Sequence, residues 1–412
     1  MLERKQLGVL ALVFLPTMIG AMNADGIAML LPFLESALDL SKTQVGMIPA
    51  SFYLGAASLG LLVGWLADGL GPRRTLFLGQ AAVGVFMFLA SGISNFTALL
   101  ALLFCAGTGF SSILPTTAKA VMYWFPPRTR GTVVGIMKVG VAAGSGLGAL
   151  TLPLLAERFG WRVPLFLIGA LAVLSAVTVL SFLRDAPDGR QVGEGLRLAD
   201  LGLIFRNRDL MLTCTATGVL LGTQVTFVSY IILYLKEAVG IPVVAAAMGL
   251  AMAQIAAGVA RVGWGMISDF LFGGRRRPAA LLVGALATLG FIGLIGIGPA
   301  TPAWFRGTVL LVLGASILGW AGVHTILRAE LGGKEHAAAA NGFGQMTGAL
   351  GAFILPPLFG FTVDRTGHYT LGWGLIILLT VLATVLVALV RETGSPAEVE
   401  SSSNASSPHI PV

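Results

Sequence analysis

The sequence predicts an all-α membrane protein with twelve transmembrane helices in two halves of six. Three observations predict it: an apolar composition, twelve apolar segments of membrane-spanning length, and basic residues concentrated in the loops of one side. The 412 residues are 56% apolar and only 11% charged, with a mean hydropathy of +0.88, whereas soluble domains carry about 25% charged residues. This composition excludes a soluble core, and the 55 glycines suit closely packed membrane helices.

Each of the twelve segments is long enough to cross a bilayer, which requires about 20 residues per helix. Turn-forming residues such as Gly273-Gly274 and Gly332-Gly333 separate neighbouring segments. The segments, called spans 1 to 12, cover residues 7–33, 44–67, 75–94, 97–123, 131–156, 162–183, 209–235, 242–268, 278–298, 304–329, 338–362 and 370–390. Because their number is even, both termini are predicted to lie on the same side of the membrane.

Basic residues predict which side that is. Seventeen of the 26 Lys and Arg residues, Arg328 among them, are placed on the side of the termini and six on the opposite side. The remaining three, Lys119, Lys138 and Arg261, lie within spans. By the positive-inside rule, both termini are cytoplasmic. We therefore expect a multi-pass protein of a bacterial inner membrane.

The longest cytoplasmic loop divides the chain into equal halves. Residues 1–183 form the N-terminal bundle of six helices, 184–208 a charged cytoplasmic linker, and 209–391 the C-terminal bundle. The serine-rich tail, 392–412, has too little apolar content to fold and is predicted to be disordered.

One loop motif occurs twice, after span 2 and after span 8. Both copies place Gly four residues before Asp, and a basic cluster five or six residues after it. The motif residues are Gly64, Asp68, Gly71, Arg73 and Arg74 in the first copy, and Gly265, Asp269 and Arg275 in the second. The Asp can cap the next element or pair with Arg, and the Gly permits close helix packing. We predict a structural or gating role for both loops, without substrate contact.

The first copy, Gly64-Trp-Leu-Ala-Asp-Gly-Leu-Gly-Pro-Arg-Arg74, resembles the Gly-x-Leu-x-Asp-x-x-Gly-x-Arg-Arg motif of the major facilitator superfamily. Phe125-Pro-Pro-Arg-Thr-Arg-Gly131, between spans 4 and 5, is also similar to that family. The resemblance covers residues 7–391. It implies the major facilitator fold, in which two six-helix bundles rock about a central site in alternating access. Spans 1, 4, 7 and 10, with 2, 5, 8 and 11, would line the cavity.

Three ionisable side chains lie at similar depth in three different spans. Arg261 in span 8 is about 12 Å from the cytoplasmic end of its helix, and Lys138 and His324, in spans 5 and 10, are about 10 Å from theirs. A guanidinium in hydrocarbon costs roughly 3 to more than 10 kcal/mol, so it is kept where water, a counter-charge or an anion meets it. We predict that Arg261, Lys138 and His324 bind an anionic solute.

Each of these residues also has a structural interpretation. Arg261 could form an ion pair with Asp25 across the interface between the halves. Lys138 could extend its ammonium group towards the interface, as Lys119 in span 4 is expected to do. His324 could be hydrogen-bonded to a neighbouring backbone within its bundle.

Asp25 in span 1 is the only acidic residue well inside a span, about 27 Å from the inner start of its helix. Intramembrane carboxylates often carry protons. We predict that Asp25, or less favourably His324, carries a coupling proton. Alternatively, Asp25 faces an outer vestibule or caps a break at Gly26.

Uncharged polar residues within spans could supply hydrogen bonds to the solute, although such residues more often join helices to one another. The candidates are Tyr53, Gln224, Tyr230, Asn341 and Gln345. A separate stripe of small residues in span 5, Gly140, Gly144 and Gly148, partly resembles a glycine-rich motif of antiporters in the family. Ser145 stands where that motif has Pro, and we interpret the stripe as close packing.

The segment Val259 to Asp269 resembles span 8 of the monocarboxylate and oxalate–formate branch of the family. The resemblance implies that Arg261 contacts the carboxylate of the solute. Two positions depart from that branch. Ala257 replaces the Asp of the monocarboxylate porters, and Asp25 occupies the place of their span-1 Lys. The acid and base could therefore be exchanged between helices.

The predicted function is proton-coupled symport of a small organic anion, in particular a monocarboxylate, by a monomer. Three alternatives stay open: an anion/anion antiporter of the oxalate–formate type, a drug or cation exporter, and a sensor that retains the transporter fold. No nucleophile–base or metal-ligand constellation is visible in the sequence, so an enzyme, a metal, a cofactor and a nucleic-acid partner are not expected.

Overall fold

The computed structural model describes residues 4–184 and 205–391. Most of the predicted linker and the whole predicted tail, 392–412, lie outside the described residues. The side chains of 60–68 and of a few other helical residues are also not described. All regular structure in the described ranges is helical, as the sequence predicts.

Eleven described segments are long and apolar enough to cross a membrane. Each coincides with a predicted span. The remaining predicted span, 44–67, forms the first part of the helix Lys42–Ser91, which continues into span 3. The α-helices are Arg4–Met29, Leu31–Leu38, Lys42–Ser91, Phe96–Phe110, Ile113–Trp124, Pro127–Phe159, Arg162–Phe182, Arg208–Glu237, Val243–Phe270, Arg276–Ile295, Ala303–Leu313, Ala321–Thr366 and Tyr369–Ala388.

Helix boundaries follow local sequence signals. Ser41 begins span 2 with a capping box, in which its hydroxyl accepts from the Gln44 backbone and the Gln44 side chain accepts from the Ser41 backbone. Asn95 and Asn207 cap spans 4 and 7 with a single bond each, in which the side-chain oxygen accepts from a backbone N–H group three residues later. These caps satisfy backbone N–H groups that the helix itself leaves without acceptors.

Two glycines make turns between consecutive spans. Gly71 (φ 78°, ψ 163°) separates span 2 from span 3, and Gly333 (φ 67°, ψ 178°) separates span 10 from span 11. Residues with a Cβ rarely adopt positive φ, which explains glycine at both positions. The turn at Gly332-Gly333 is therefore confirmed.

The spans form two six-helix bundles that contact each other through span 2 against span 11 and span 5 against span 8. We call the membrane face at which span 1 begins and span 12 ends the termini side, and the opposite face the far side. Close backbone approach supports these interfaces: a Cβ built on Gly46 of span 2 would lie 2.4 Å from the Pro356 carbonyl oxygen of span 11.

The small-residue stripe of span 5 packs against span 1. A Cβ on Gly144 would lie 2.0 Å from the Met18 carbonyl oxygen, which leaves no room for a side chain. Gly140 and Gly148 also face span 1, at Phe14 and Met22. The interpretation of the stripe as close packing is thus confirmed, and it fixes how span 5 presents Lys138.

Candidate functional site

A distortion in span 10 provides the position for Arg261. Span 10 changes from α-helix to a π-helix over Gly314–Leu318 and makes a turn before Ala321. Arg261 of span 8 donates to the Leu318 carbonyl oxygen from both Nε (3.3 Å) and Nη2 (3.2 Å). Trp264, one turn further along span 8, donates from Nε1 to the Ala315 carbonyl oxygen at 2.7 Å. Single π-turns often mark functional sites, because they free backbone carbonyls from the helix.

Arg261 also contacts the other bundle. Its Nη1 donates to the backbone carbonyl oxygen of Lys138 in span 5 at 3.2 Å, so the structure brings together two of the predicted site residues. The half-buried Lys138 ammonium group has no hydrogen bond or ion pair with any of the described residues. Among the described residues, Arg261 therefore donates only to backbone carbonyl oxygens, and the Lys138 ammonium group has no polar partner.

Asp25 lies near Arg261 without forming an ion pair with it. Its Oδ2 accepts from Ser145 Oγ at 2.5 Å and from Gln254 Nε2 at 3.4 Å, so it links spans 1, 5 and 8. Asp25 and Arg261 attract each other electrostatically, but the ion pairs between described residues do not include them. The alternative of a direct Asp25–Arg261 pair is thus not the arrangement of this state.

The two partners of Asp25 were missed in the sequence, although each carried a signal. Ser145 is the residue that replaces Pro in the span-5 motif, and that departure gives Asp25 its donor. Gln254 lies seven residues before Arg261, two helical turns away on the same face of span 8. A polar residue at that spacing in an apolar span indicates a shared polar surface.

The position of Arg328 differs from the prediction. The count of basic residues placed it on the cytoplasmic side of the membrane, but the structure buries it. It is only 3% exposed. Its side chain donates from Nη1 to Thr217 Oγ1, from Nε to Asn341 Oδ1 (3.3 Å) and from Nη2 to Thr325 Oγ1 (3.4 Å). Helical side chains point back towards the N-terminus of their helix, which carries this guanidinium away from the span end and between spans 7, 10 and 11. Its position four residues after His324 was the available signal.

His324 lies in span 10 between Leu318, which Arg261 of span 8 contacts, and Arg328. It is 1% exposed and packs edge-on against Trp320, with ring centroids 5.2 Å apart. Trp320 Nε1 in turn donates to Gln224 Oε1 of span 7 at 2.8 Å. The His324 Nδ1 atom is buried without a hydrogen-bond partner among the described residues. The alternative interpretation of His324, as a histidine hydrogen-bonded to a neighbouring backbone, therefore does not account for its Nδ1 atom.

The other polar candidates separate into different environments. Tyr53 is buried near enough to Asp25 to interact with it electrostatically. Tyr230 instead donates to the Lys42 carbonyl oxygen (2.6 Å) and the Pro356 carbonyl oxygen (3.1 Å) on the far side. Gln345 is exposed. Lys119 places its ammonium group 5.9 Å from the centre of the Tyr123 ring. Of these, Tyr53 alone is placed near the Arg261–Lys138 pair.

The loop motifs lie apart from these residues. Arg73 donates to the Leu180 carbonyl oxygen of span 6 (2.8 and 2.5 Å), and Arg74 is exposed. In the second copy, Asp269 accepts from Arg276 Nη1 at 2.5 Å, one residue after the predicted Arg275. The surroundings of Gly64 and the side chain of Asp68 lie outside the described part of the structure.

Gly265 has no close neighbour in this state. A Cβ built on this residue would meet nothing within 4 Å among the described residues. The structural role of Gly265 therefore stays a prediction.

A polar network, which we call the far-side closure, joins the two bundles at the far side. Lys42 Nζ of span 2 pairs with Glu35 (2.5 Å) and, across the interface, with Glu237 at the end of span 7 (2.6 Å). Asp364 of span 11 accepts from the backbone N–H groups of Lys42 and Thr43, both at 2.8 Å. Burial raises the pKa of the Glu35 carboxyl, and the hydrogen bond from Lys42 offsets part of that rise.

Two six-helix bundles, closed together at one face and holding costly charges at their interface, define a secondary transporter. The chain belongs to the Major Facilitator Superfamily, whose family model matches residues 13–356.

Relatives share the full length of the chain. It is 23% identical to the hexuronate transporter of Bacillus subtilis, over 97% of this chain and 98% of that protein. It is 25% identical to a probable sulfoacetate transporter of Cupriavidus necator, over 95% of both. Neither is named as a monocarboxylate or oxalate–formate porter, so that branch stays a prediction.

A solved structure shows the same fold. The chain superposes with a TM-score of 0.78 on a bacterial homologue of the human lysosomal transporter Spinster, in an inward-facing and occupied conformation. The match covers 95% of this chain and 97% of that one, at 15% identity.

Proposed function

We propose that this protein is a secondary active carrier of a small organic anion, coupled to protons, in a bacterial inner membrane with its termini in the cytoplasm. The observation that carries the proposal is the pair Arg261 and Lys138. These cations come from opposite bundles and meet at the interface, yet neither forms an ion pair with a described residue. Unpaired charge inside a membrane protein is costly, and an anionic solute would offset that cost.

The geometry suits a carboxylate. Arg261 donates to backbone carbonyls at 3.2–3.3 Å, which are neutral acceptors at the long end of hydrogen bonding. A carboxylate accepts two parallel N–H groups of a guanidinium in a shorter, charge-assisted pair. Lys138 adds a mobile ammonium donor from the other bundle. A bound anion would therefore join the two halves at the centre.

The relatives support an anion as the solute. The solutes named for the two relatives, hexuronate and sulfoacetate, both carry a carboxylate. A drug or cation exporter receives no comparable support. The narrower prediction, a monocarboxylate, rests only on the resemblance of span 8.

Asp25 supplies a physical route to coupling. Its carboxylate attracts Arg261 when ionised, and it contacts Ser145 in one bundle and Gln254 in the other. Protonation removes that attraction and leaves Arg261 free for the solute. Loss of the proton on the cytoplasmic side restores the competition and favours release of the anion. His324 is the second candidate, because its Nδ1 atom has no partner among the described residues.

Uptake into proteoliposomes tests the proposal. The purified protein is supplied with labelled organic acids, including hexuronate and sulfoacetate, with and without an imposed proton gradient. We expect accumulation that the gradient drives, and a loss of about 100-fold in Arg261→Gln, since a charge-assisted bidentate contact contributes about 3 kcal/mol. Arg158→Gln, at the exposed far-side end of span 5, is the matched control.

Two outcomes would contradict different parts of the proposal. Uptake of organic cations, or anion uptake unchanged in Arg261→Gln, would remove the anion site. Anion uptake that depends on a counter-anion inside and ignores the proton gradient would replace symport by the antiporter alternative, and would leave the anion site in place.

A further inference from the structure

The centre of the protein contains a third cation, Arg328. Its burial is nearly complete, at 3% exposure, and its acceptors are two hydroxyl groups and one amide oxygen. None of these carries a charge. A buried guanidinium normally requires a paired anion, because taking it out of water costs several kcal/mol. Three of its five N–H groups are used, so donors remain for another acceptor.

Arg328 acts within the same electrostatic region as the predicted site. Lys138, in the opposite bundle, is repelled by both Arg261 and Arg328. The acid that interacts with this group is Asp25, through Arg261. Among the described residues, three cations thus share one carboxylate, which leaves two positive charges without a counter-charge.

Span 10 sets the separation of the two guanidinium groups. Arg261 contacts the Leu318 carbonyl oxygen, and Arg328 contacts Thr325 seven residues further along. The two contacts therefore lie on successive parts of span 10, on either side of the turn before Ala321. His324 lies between them with its buried Nδ1 atom unpartnered among the described residues. A small solute with an anionic group at each end would place one group at each cation and meet the histidine between them.

We infer that the solute is an organic dianion, with one anionic group on Arg261 and Lys138 and the second on Arg328 and His324. This inference rests on the proposed anion carrier and names its substrate class. Arg328 becomes a specificity-determining residue, because a monoanion would leave its charge uncompensated. Sulfoacetate, named for one relative, is a dianion of this kind.

Thermal stabilisation of the purified, full-length protein compares acids that differ by one anionic group. Succinate and butyrate have the same number of carbons, and sulfoacetate and acetate form a second pair. A ligand that binds only the folded state raises its stability by an amount that gives the dissociation constant. We expect the dianion to bind at least about tenfold more tightly than its monoanion, since a hydrogen bond to a charged group contributes roughly that much.

Arg328→Gln tests the assignment of the second position. We expect the dianion to lose its tenfold advantage over the monoanion, while Arg158→Gln keeps that advantage. Should Arg328→Gln fail to fold, Arg328→Lys retains the charge without the planar fork, and the advantage of the dianion over the monoanion should shrink.

The outcomes separate the inference from the proposed function. Equal binding of succinate and butyrate by the unmodified protein, or a dianion advantage that persists in the Arg328 variants, would overturn the dianion inference and leave an anion carrier. If no organic acid stabilises the unmodified protein, the proposed function fails and the inference fails with it.

Discussion

The far-side closure and the centre of the protein use charge in opposite ways. At the far side, Lys42 is paired with two carboxylates, and Asp364 accepts from the start of span 2. At the centre, Arg261 and Arg328 donate to backbone carbonyls and neutral side chains, the Lys138 ammonium group has no hydrogen bond with a described residue, and one described carboxylate, Asp25, lies near them. Both regions join the two bundles.

The difference indicates that a solute affects the stability of the centre but not that of the far side. Paired charges at the far side hold the bundles together without a ligand. The excess of cations at the centre destabilises the empty site, since each unpaired buried charge carries a desolvation cost. An anion that enters the centre would offset that cost, and it would shift the balance between states open to opposite faces only as far as it binds one of them more tightly. A carrier that alternates between two faces requires this coupling.

The largest expected effect comes from neutralising Asp25, the only acid near the central cations among the described residues. In Asp25→Asn, the side-chain oxygen can still accept from Ser145 and Gln254, but it carries no charge or titratable proton. We expect accumulation driven by a proton gradient to fall at least about tenfold, while exchange of labelled for unlabelled solute continues. Uptake and counterflow in the same proteoliposomes measure both.

Asp39→Asn is the control for this change. Asp39 is exposed and has a left-handed backbone (φ 49°), which Asn tolerates. If Asp25→Asn still accumulated solute in response to the gradient, the coupling proton would have to reside elsewhere, with His324 the next residue to substitute.

The next effect concerns the lysine at the bundle interface. Lys138→Gln removes a cation that has no hydrogen bond or ion pair with a described residue, so no polar contact within the described protein is lost with it. We expect affinity for the anion to fall about tenfold. Isothermal titration or thermal stabilisation measures it.

Lys119→Gln provides the comparison, because Lys119 belongs to the same bundle but lies over the Tyr123 ring. It should leave affinity within about twofold of the unmodified protein, since its cation–π contact contributes only about 0.5–1 kcal/mol and is made to a residue of its own span. Equal losses in both variants would show that Lys138 acts through general charge and not through contact.

The sequence predicted the helical architecture well, because a bilayer imposes long apolar segments regardless of tertiary detail. The relation between Arg261 and Lys138 was also predictable, since depth along a helix follows from counting residues. Arg328 was not. An arginine near a span end normally extends to the interface, and its burial here depends on Thr217 and Asn341 from two other spans.

Tyr230 illustrates the same limit. Its position in span 7 placed it among candidates for the solute, but its hydroxyl is held at the far side by carbonyls of spans 2 and 11. Which helix faces which neighbour, and at what height, follows from packing between bundles and not from the periodicity of one span. Partners contributed by a second helix were accordingly the residues that were missed.

A smaller effect is expected from the paired network. Lys42→Gln leaves Glu35 and Glu237 without their shared cation. The pairs are partly exposed, so we expect about 1 kcal/mol, a roughly fivefold shift towards opening of the far side. Spin labels at Ala37→Cys and Ala238→Cys, exposed positions on the two bundles, report the distance once Cys105 and Cys214 are replaced. Lys236→Gln is the matched control, and an unchanged distance distribution in Lys42→Gln would show that helix packing alone closes this face.

The smallest effect is expected from the ion pair of the second loop motif. Asp269, Arg276 and Glu330 all belong to the C-terminal bundle, so this contact does not hold the two halves together. The Asp269 side chain is 55% exposed, and exposed pairs typically contribute less than about 1 kcal/mol. Asp269→Asn should therefore change the unfolding free energy by less than about 1 kcal/mol and leave the far-side distance distribution unchanged. A shift as large as that of Lys42→Gln would mean that the loop acts across the interface after all, and that charge pairing within one bundle controls opening at the opposite face.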